Sequence, residues 1–288
     1  MKEIVHTVPI GCNDIRISEY LRLNLSLSAT LIKRAKFGGV RKNGEIVTMR
    51  ARVFSGDVIT VDISDEKSSD ILPIDIPVHA VYEDEYIAVF DKPTNMPTHP
   101  SRGNSLPTLA NALAFRYGDG FVFRAITRLD RDTSGLVLIA KDKLSAARLS
   151  SDMKLFGIEK TYEAHVLGVP SPECGIISAP IAREAQDSIR RTVSPLGKES
   201  VTEYRLLSVL SDGTSVCEIS PKTGRTHQIR VHMAHIGHPL IGDFLYGERI
   251  EGKTYELCCK RLRFRHPITG ETVTLVSERD ILKENSNN

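Results

Sequence analysis

The sequence predicts an α+β protein, in which a mixed, mostly antiparallel sheet with peripheral helices follows a small α/β module. From His79 onward, short alternating strand patterns are interleaved with occasional helical patterns. Before about residue 65, two helical patterns precede strand-like runs. The segment DEKSSDILPIDIP that follows is polar and then interrupted by prolines, as is common in linkers. We therefore predict a module at residues 1–66, a linker at 67–78 and a main domain at 79–288.

The composition is that of an ordinary globular protein. Of the 288 residues, 41% are hydrophobic and 26% are charged, which allows a sizeable core without metals or disulfides. The net charge is only +2, so binding of nucleic acid would depend on local basic patches. Because there is no secretory signal and no apolar run of 18 residues, we expect a cytoplasmic monomer that does not associate with membranes. Five scattered cysteines without a Cys-x-x-Cys pair indicate reduced thiols: Cys12, Cys174, Cys217, Cys258 and Cys259.

Local patterns predict the elements of the first module in order. RISEYLRLNL and SATLIKRAKFGG space their apolar residues for helices, and the second helix is expected to end at Gly38-Gly39. Asn43-Gly44 predicts a two-residue hairpin turn. A basic cluster at a helix end and the following turn suits phosphate contacts, and a solvated charged face explains it equally well. The cluster consists of Lys33, Arg34, Lys36, Arg41 and Lys42.

The order of these features resembles the alpha-L RNA-binding motif, which consists of two short helices, a loop and a hairpin. The hairpin of that motif carries V-x-x-NG and a later GD-x-I. Here these are matched by Val40, Asn43-Gly44, Gly56-Asp57 and Ile59, over roughly residues 12 to 63. The resemblance implies that the first module binds RNA, and the fold class becomes an α+β catalytic domain preceded by a small α/β RNA-binding module.

In the main domain, two polar segments interrupt the apolar patterns. Residues 123–142 hold RLDRDTSG before the apolar run LVLIAK, and such a loop is costly unless its polar groups are paired or used. A plain turn capped by Gly135 is the structural alternative. In residues 221–243, a turn is followed by a helix from Thr226 to Gly237. Arg225 lies at its N-terminal edge and is aimed away from the core, as a surface arginine would also be.

The histidines of the second segment raise the question of a metal site. His232, His235 and His238 are three residues apart, but His238 lies beyond the end of the predicted helix, and no carboxylate interrupts the run. We therefore expect no metal, and expect these side chains to bind buried backbone groups or RNA. A further strand, IEKTYEAHVLG, places Lys160 and Tyr162 on one face.

Taken together and in this order, the segments resemble the RluA/RluD-type family of RNA pseudouridine synthases. The family's HRLD-x-x-TSG signature is matched by residues 128–130 and 133–135, and its K-x-Y by residues 160–162. Its TGR-[ST]-HQ-[IL]-R motif and the trailing GHP-[IL]-x-GD-x-x-YG are matched from Thr223 through Gly247. The resemblance extends from Val81 to about Ser277. Two positions depart from it. Thr127 replaces the usual histidine, which affects the expected substrate detail. Asn95 stands in a turn that commonly has glycine, and asparagine can adopt the required left-handed conformation.

The resemblance implies isomerisation of specific uridines to pseudouridine in structured RNA, by base flipping and an aspartate-dependent mechanism without cofactor or metal. The alpha-L module favours ribosomal RNA as the substrate. Transfer RNA is the alternative within the same family, and an RNA-binding adaptor without activity is the alternative outside it. A carboxylate-pair glycosidase would also cleave a glycosidic bond, but it would not need a basic RNA-binding module.

The family's site residues map onto this chain by the same resemblance. Asp130 is the expected catalytic carboxylate, attacking either the sugar or the ring, and Tyr162 supplies a flat face for the flipped uracil. Arg225 is expected to pair with Asp130 and keep it ionised, since burial alone would raise the pKa of the carboxyl. Asp132 is the competing carboxylate, which we expect to cap the loop instead. The remaining matches are expected to bind substrate: Arg128, Leu129, Thr133, Ser134, Gly135, Lys160, Thr226, His227 and Gln228.

Overall fold

The computed structural model describes residues 3–25, 27, 29–36, 38–62, 71–100, 107–155 and 157–284. Its N-terminal module has an antiparallel sheet in the order β1-β6-β3-β4, a separate pair of β2 and β5, and two short helices. The elements are β1 Glu3–Thr7, β2 Ile15–Arg16, α1 Ile17–Leu23, α2 Ala29–Ala35, β3 Val40–Lys42, β4 Glu45–Ile46, β5 Arg52–Val53 and β6 Val58–Asp62.

Local sequence chemistry explains this module. Asn43 and Gly44 have φ values of 51° and 88°, which is the backbone that a two-residue hairpin turn requires, so the predicted turn is confirmed. The Asn43 side chain accepts a hydrogen bond from Val58 N and donates one to the Asp57 carboxylate, both at 2.7 Å. The asparagine and the aspartate of the alpha-L-like pattern therefore lock β3 to the start of β6.

The main domain contains a nine-stranded sheet within the described residues. Its order is β11-β14-β15-β10-β16-β9-β8-β7, with β17 paired to the far half of β16. The strands of the sheet are β7 His79–Glu83, β8 Ile87–Lys92, β9 Ser134–Ala140, β10 Glu159–Val166, β11 Cys174–Ser178, β14 Val201–Val209, β15 Ser215–Pro221, β16 Leu257–Arg265 and β17 Thr272–Val276. The other elements are α3 Leu109–Tyr117, α4 Lys143–Leu155, the hairpin strands β12 Ile181–Arg183 and β13 Arg191–Val193, α5 Gln228–His235, and α6 Ile281–Glu284.

Strand pairing in this sheet is antiparallel except between β9 and β16, where Ser134 and Gly135 lie beside Cys258 and Cys259 in parallel. The mixed, mostly antiparallel α+β fold is therefore confirmed. Every residue of β8 and β9 is buried, including Asp91 and Lys92 at the end of β8, and the apolar residues of these two strands form the centre of the core. The site described below lies where β9 begins.

The connection between module and main domain was expected at 67–78, and residues 63–70 lie outside the described part of the chain. The described remainder has no helix or strand, yet it is bound to the main domain. Ile74 N donates to Asn111 O at 3.2 Å, and the Asn111 amide donates to Leu72 O at 2.7 Å. Leu144 of α4 packs against the core of the module. None of the helices described is long and apolar enough to cross a membrane.

Candidate active site

The loop that carries Asp130 ends where β9 starts, and a glycine allows it to run beside β16. Gly135 has φ +102°, and a Cβ atom there would lie 2.6 Å from Cys259 N and closer still to Cys259 O. Only a residue without a side chain can make this approach. Cys259 pairs in turn with Tyr162 on β10, so Gly135, Cys259 and Tyr162 form one row across three strands. The glycine is therefore a requirement of close strand packing rather than a simple turn cap.

The segment from Lys92 to Thr98 holds the loop from the other side. Lys92 is fully buried, and its ammonium group donates to the carbonyl oxygens of Pro93, Met96 and Arg131 at 2.7 to 3.0 Å. The Thr98 hydroxyl donates to Leu129 O at 2.8 Å and accepts from Leu129 N. In the turn between these two residues, Asn95 has φ 56°, which confirms the left-handed conformation expected for it. The backbone on both sides of Asp130 is thereby fixed.

The two aspartates of the loop have different environments. The Asp132 carboxylate is 4% exposed and binds the Arg131 guanidinium through two hydrogen bonds of 2.8 Å. Asp132 was expected to cap the loop, and in the structure its carboxylate forms an ion pair with the neighbouring Arg131. The Asp130 side chain is 36% exposed, and its carboxylate oxygen Oδ2 lies 3.9 Å from Nε2 of His227.

Tyr162 and Lys160 both lie on β10, and Tyr162 is near enough to Asp130 for the carboxylate charge to act on its phenol. Tyr162 is buried, and burial, with smaller effects of Cys259 and Asp130, raises the pKa of its phenol well above the ordinary value. Lys160 is half-buried, and burial lowers the pKa of its ammonium group. The Tyr162 phenol is therefore neutral over the physiological pH range and presents an aromatic ring with a polar tip.

The second motif folds as a tight turn followed by α5. The Gln228 side chain accepts hydrogen bonds from Thr223 Oγ1 and Arg225 N, and donates to Val201 O and Thr202 Oγ1. Gln228 therefore stabilises the turn, although it was expected to bind substrate. Helix α5 begins at Gln228, two residues later than predicted, and is followed by Gly237 with φ 86°, as the pattern predicted.

The expected ion pair between Arg225 and Asp130 is not formed. Arg225 is exposed, and its Nε donates to Glu199 O at 3.0 Å. The sequence pattern correctly indicated an arginine pointing away from the core, but the pairing inferred from the family motif is wrong for this structure.

The buried guanidinium near Asp130 belongs to Arg230, which the sequence reasoning missed. Arg230 makes two hydrogen bonds of 2.7 Å to the fully buried Asp243, and stacks 4.1 Å from the Tyr255 ring and 5.0 Å from the Tyr246 ring. Burial opposes the charge of Arg230, yet the Asp243 carboxylate raises its pKa overall. The last arginine of TGRTHQIR and the aspartate of GD-x-x-YG are thus one ion pair, and their presence in adjacent motifs is the signal that could have revealed it.

A second pair joins the same two motifs. His227 Nδ1 lies 2.8 Å from the Tyr246 hydroxyl, and the hydroxyl accepts a hydrogen bond from Arg191 N on the β12–β13 hairpin. Burial lowers the pKa of His227, and the nearby Asp130 carboxylate partly opposes this effect. Asp130 therefore faces an imidazole that is neutral near pH 7.

The remaining expected substrate-binding residues divide into exposed and buried groups. Arg128 and Thr226 are exposed, whereas Leu129, Thr133 and Ser134 are buried. Ser134 Oγ has no hydrogen-bond partner among the described residues, and Thr133 Oγ1 lies 3.3 Å from the Tyr255 hydroxyl.

Thr127 and two histidines of the second segment contact backbone groups, and the histidines also bear on whether the site holds a metal. Thr127, which stands where the family usually has histidine, is buried, and its hydroxyl accepts a hydrogen bond from Leu138 N on β9. His232 and His238 contact the carbonyl oxygens of Ala179 and Leu167, as expected of histidines that satisfy backbone groups. No cluster of three potential metal ligands is found among the described residues.

The basic cluster of the module is partly neutralised. Arg41 lies 3.3 Å from Glu3, and Lys42 lies 3.4 Å from Asp57. Lys33 and Lys36 are exposed, and the side chain of Arg34 lies outside the described part.

Comparison with known proteins gives consistent matches. Residues 86–235 match the family model described as RNA pseudouridylate synthase. The chain is 38% identical over 256 residues to the uncharacterized RNA pseudouridine synthase YjbO of Bacillus subtilis, covering 86% of this chain and 90% of the relative. It is also 38% identical over 253 residues to the ribosomal large subunit pseudouridine synthase D of Vibrio cholerae. This match covers 81% of this chain and 78% of the relative. The solved structure of human RNA Pseudouridylate Synthase Domain Containing 1 superposes with a TM-score of 0.60 and 27% identity. The superposition covers 70% of this chain and 84% of the human chain.

Proposed function

Since the chain belongs to the RNA pseudouridylate synthase family and isomerises uridine to pseudouridine in RNA, we propose that ribosomal RNA is its substrate and Asp130 its catalytic carboxylate. The reaction breaks the bond between the ribose and the base nitrogen, turns the base and rejoins it through carbon. Carbon loses a proton and the freed nitrogen gains one, so the reaction is redox-neutral.

The contrast between the two aspartates carries the assignment of Asp130. A carboxylate that acts as nucleophile or stabilises a developing cation must reach the substrate and must be free to change partners. Asp132 is buried and bound on both oxygens by Arg131, whereas Asp130 is half-exposed and has no contact closer than 3.9 Å to a described cationic group. Asp130 therefore combines access with a backbone held rigidly by Lys92 and Thr98.

The surroundings of Asp130 suit a uridine that has left the base stack. A stacked base is inaccessible to a buried tyrosine, so the target must flip, at a cost of a few kcal/mol that protein contacts offset. Tyr162 would then face the uracil ring, with its phenol positioned to take part in removing the proton from carbon. Arg128, Thr226 and Arg225 lie exposed around the loop and would contact the flanking backbone.

Two observations favour ribosomal RNA. The Vibrio cholerae relative is named for the ribosomal large subunit. The N-terminal module has the two helices and the locked hairpin expected of an alpha-L fold, with Lys33 and Lys36 exposed beside it. We propose module boundaries of 1–66 and a linker of 67–78. Transfer RNA is the second candidate substrate, as members of one family differ in their RNA.

The assay is conversion of uridine in ribosomal and transfer RNA isolated from a strain that lacks the gene. We expect pseudouridine in ribosomal RNA, no conversion by Asp130→Asn, and RNA affinity of that variant within a few-fold of wild type. Turnover by Asp130→Asn would refute its role, conversion of transfer RNA alone would refute the substrate, and binding without conversion by the wild type would indicate an adaptor.

A further inference from the structure

His227 has a strained backbone next to the proposed catalytic carboxylate. It precedes α5 with φ 58°, in the left-handed region that residues other than glycine seldom occupy. The strain is retained in a site where Gln228 fixes the turn and Tyr246 fixes the ring. Strained residues that the surroundings hold in place are often functional, so His227 is a candidate for a role in the site.

The hydrogen bonds around Tyr246 favour one tautomer of His227. The Tyr246 oxygen accepts the Arg191 N–H at 2.8 Å, and its hydroxyl proton completes its hydrogen bonding by donation to His227 Nδ1, also at 2.8 Å. A neutral imidazole that accepts at Nδ1 carries its proton on Nε2. That nitrogen is the one that faces Asp130 Oδ2, at 3.9 Å.

We propose that His227 is a positioning residue for the isomerisation: its Nε2–H orients the Asp130 carboxylate, and the Tyr246 hydroxyl selects the tautomer that makes this contact. The inference rests on the proposed role of Asp130. The present separation is longer than a hydrogen bond, and catalytic contacts commonly tighten when substrate binds. A small rotation of the half-exposed Asp130 side chain closes the gap.

The charges around His227 are compatible with a neutral donor. Arg230 and Arg191 disfavour a second proton on the ring, whereas Asp130 and Asp243 favour one. Arg230 makes its two short hydrogen bonds to Asp243, and its charge also acts on Asp130 from a longer distance. A neutral imidazole can orient Asp130 without forming an ion pair that would reduce its reactivity.

Two substitutions of His227 separate this role from a structural one. In His227→Gln the amide nitrogen lies near the Nε2 position and can still donate to Asp130, whereas in His227→Asn the amide reaches only the Nδ1 position. Asparagine, however, suits a left-handed backbone better than glutamine, so His227→Asn should be at least as stable. If His227 positions Asp130, His227→Gln should be more active than His227→Asn. If His227 has only a structural role, His227→Asn should be the more active of the two variants.

The experiment measures kcat, KM and melting temperature with ribosomal RNA from a strain that lacks the gene. We expect His227→Asn to lose about 10- to 100-fold in kcat with KM nearly unchanged, and His227→Gln to lose about five-fold or less. Tyr246→Phe keeps the ring beside Arg230 and should lower kcat several-fold, which tests the tautomer even where the His227 variants do not fold.

The outcomes distinguish this inference from the proposed function. Equal or greater kcat in His227→Asn than in His227→Gln would overturn it, as would wild-type kcat in Tyr246→Phe. An active Asp130→Asn would instead overturn the role of Asp130, whatever the His227 variants do.

Discussion

Gly135→Ala tests whether the close approach of β9 to β16 supports the site. The substitution adds two independent penalties. The backbone at φ +102° disfavours an L-residue by about 1 to 3 kcal/mol, and the new Cβ overlaps the Cys259 backbone, where overpacking typically costs about 1 to 3 kcal/mol. We therefore expect a loss of about 2 to 6 kcal/mol of unfolding free energy, a large fraction of what a protein of this kind has.

Two other glycines separate the penalties. Gly213 has φ +81° and open space where a Cβ would stand, so Gly213→Ala measures only the free-energy cost of placing an L-residue in a left-handed backbone. Gly197 lacks a positive φ, but its Cβ would lie 2.7 Å from Ile181 N, so Gly197→Ala reports the overlap alone. Urea unfolding gives the free energies, and turnover on RNA reports the site. If Gly135→Ala costs no more than Gly213→Ala, the strands move apart freely and the packing argument is wrong.

Four further changes have expected results. Asp243→Asn should cost about 3 to 5 kcal/mol of unfolding free energy because it leaves Arg230 buried without its carboxylate; a change as small as that of the exposed Asp280→Asn would contradict the ion pair. Asp132→Asn should lower the urea midpoint yet keep far more turnover than Asp130→Asn, and equal inactivity would reopen the choice of carboxylate. Arg225→Met should reduce turnover but leave stability unchanged, because the Arg225 side chain is exposed. Arg225→Lys should have a turnover between those of Arg225→Met and the wild type. Wild-type turnover in Arg225→Met would show that Arg225 is only a surface arginine. Removing residues 1–70 should weaken RNA binding and flatten its dependence on salt, and an unchanged slope would exclude the module from binding.

Features determined by neighbouring residues could be predicted from the sequence. The Asn43-Gly44 turn, the left-handed Asn95 and the glycine that ends α5 depend on the conformational limits of single residues. The buried β9 strand follows from its uninterrupted apolar run. The polar segments between apolar runs are evident from the residues alone, but they are assigned to a site only through the resemblance to the family.

Pairings across the fold could not be predicted in this way. Arg225 precedes the helix that follows the TGR turn and Arg230 lies within it, and the sequence does not say which of them turns inward. Arg230 does so because Asp243 and the two tyrosine rings surround it, and those residues lie 13 or more positions further along the chain. The hydrogen bond from Lys92 to the Asp130 loop likewise depends on tertiary structure, since Lys92 and Arg131 are 39 residues apart.

The parallel contact of β9 with β16 has a consequence for biosynthesis. Ser134 lies beside Cys258, so more than a hundred residues must be made after β9 before its second neighbour exists. During translation, β8 and β9 can pair with each other, but one edge of β9 stays open and apolar until β16 leaves the ribosome. Open edges of this kind invite aggregation, and contacts between distant parts of a chain form slowly. The row of Gly135, Cys259 and Tyr162 is therefore completed only after β16 has been made, and a nascent chain that stops before residue 257 lacks it.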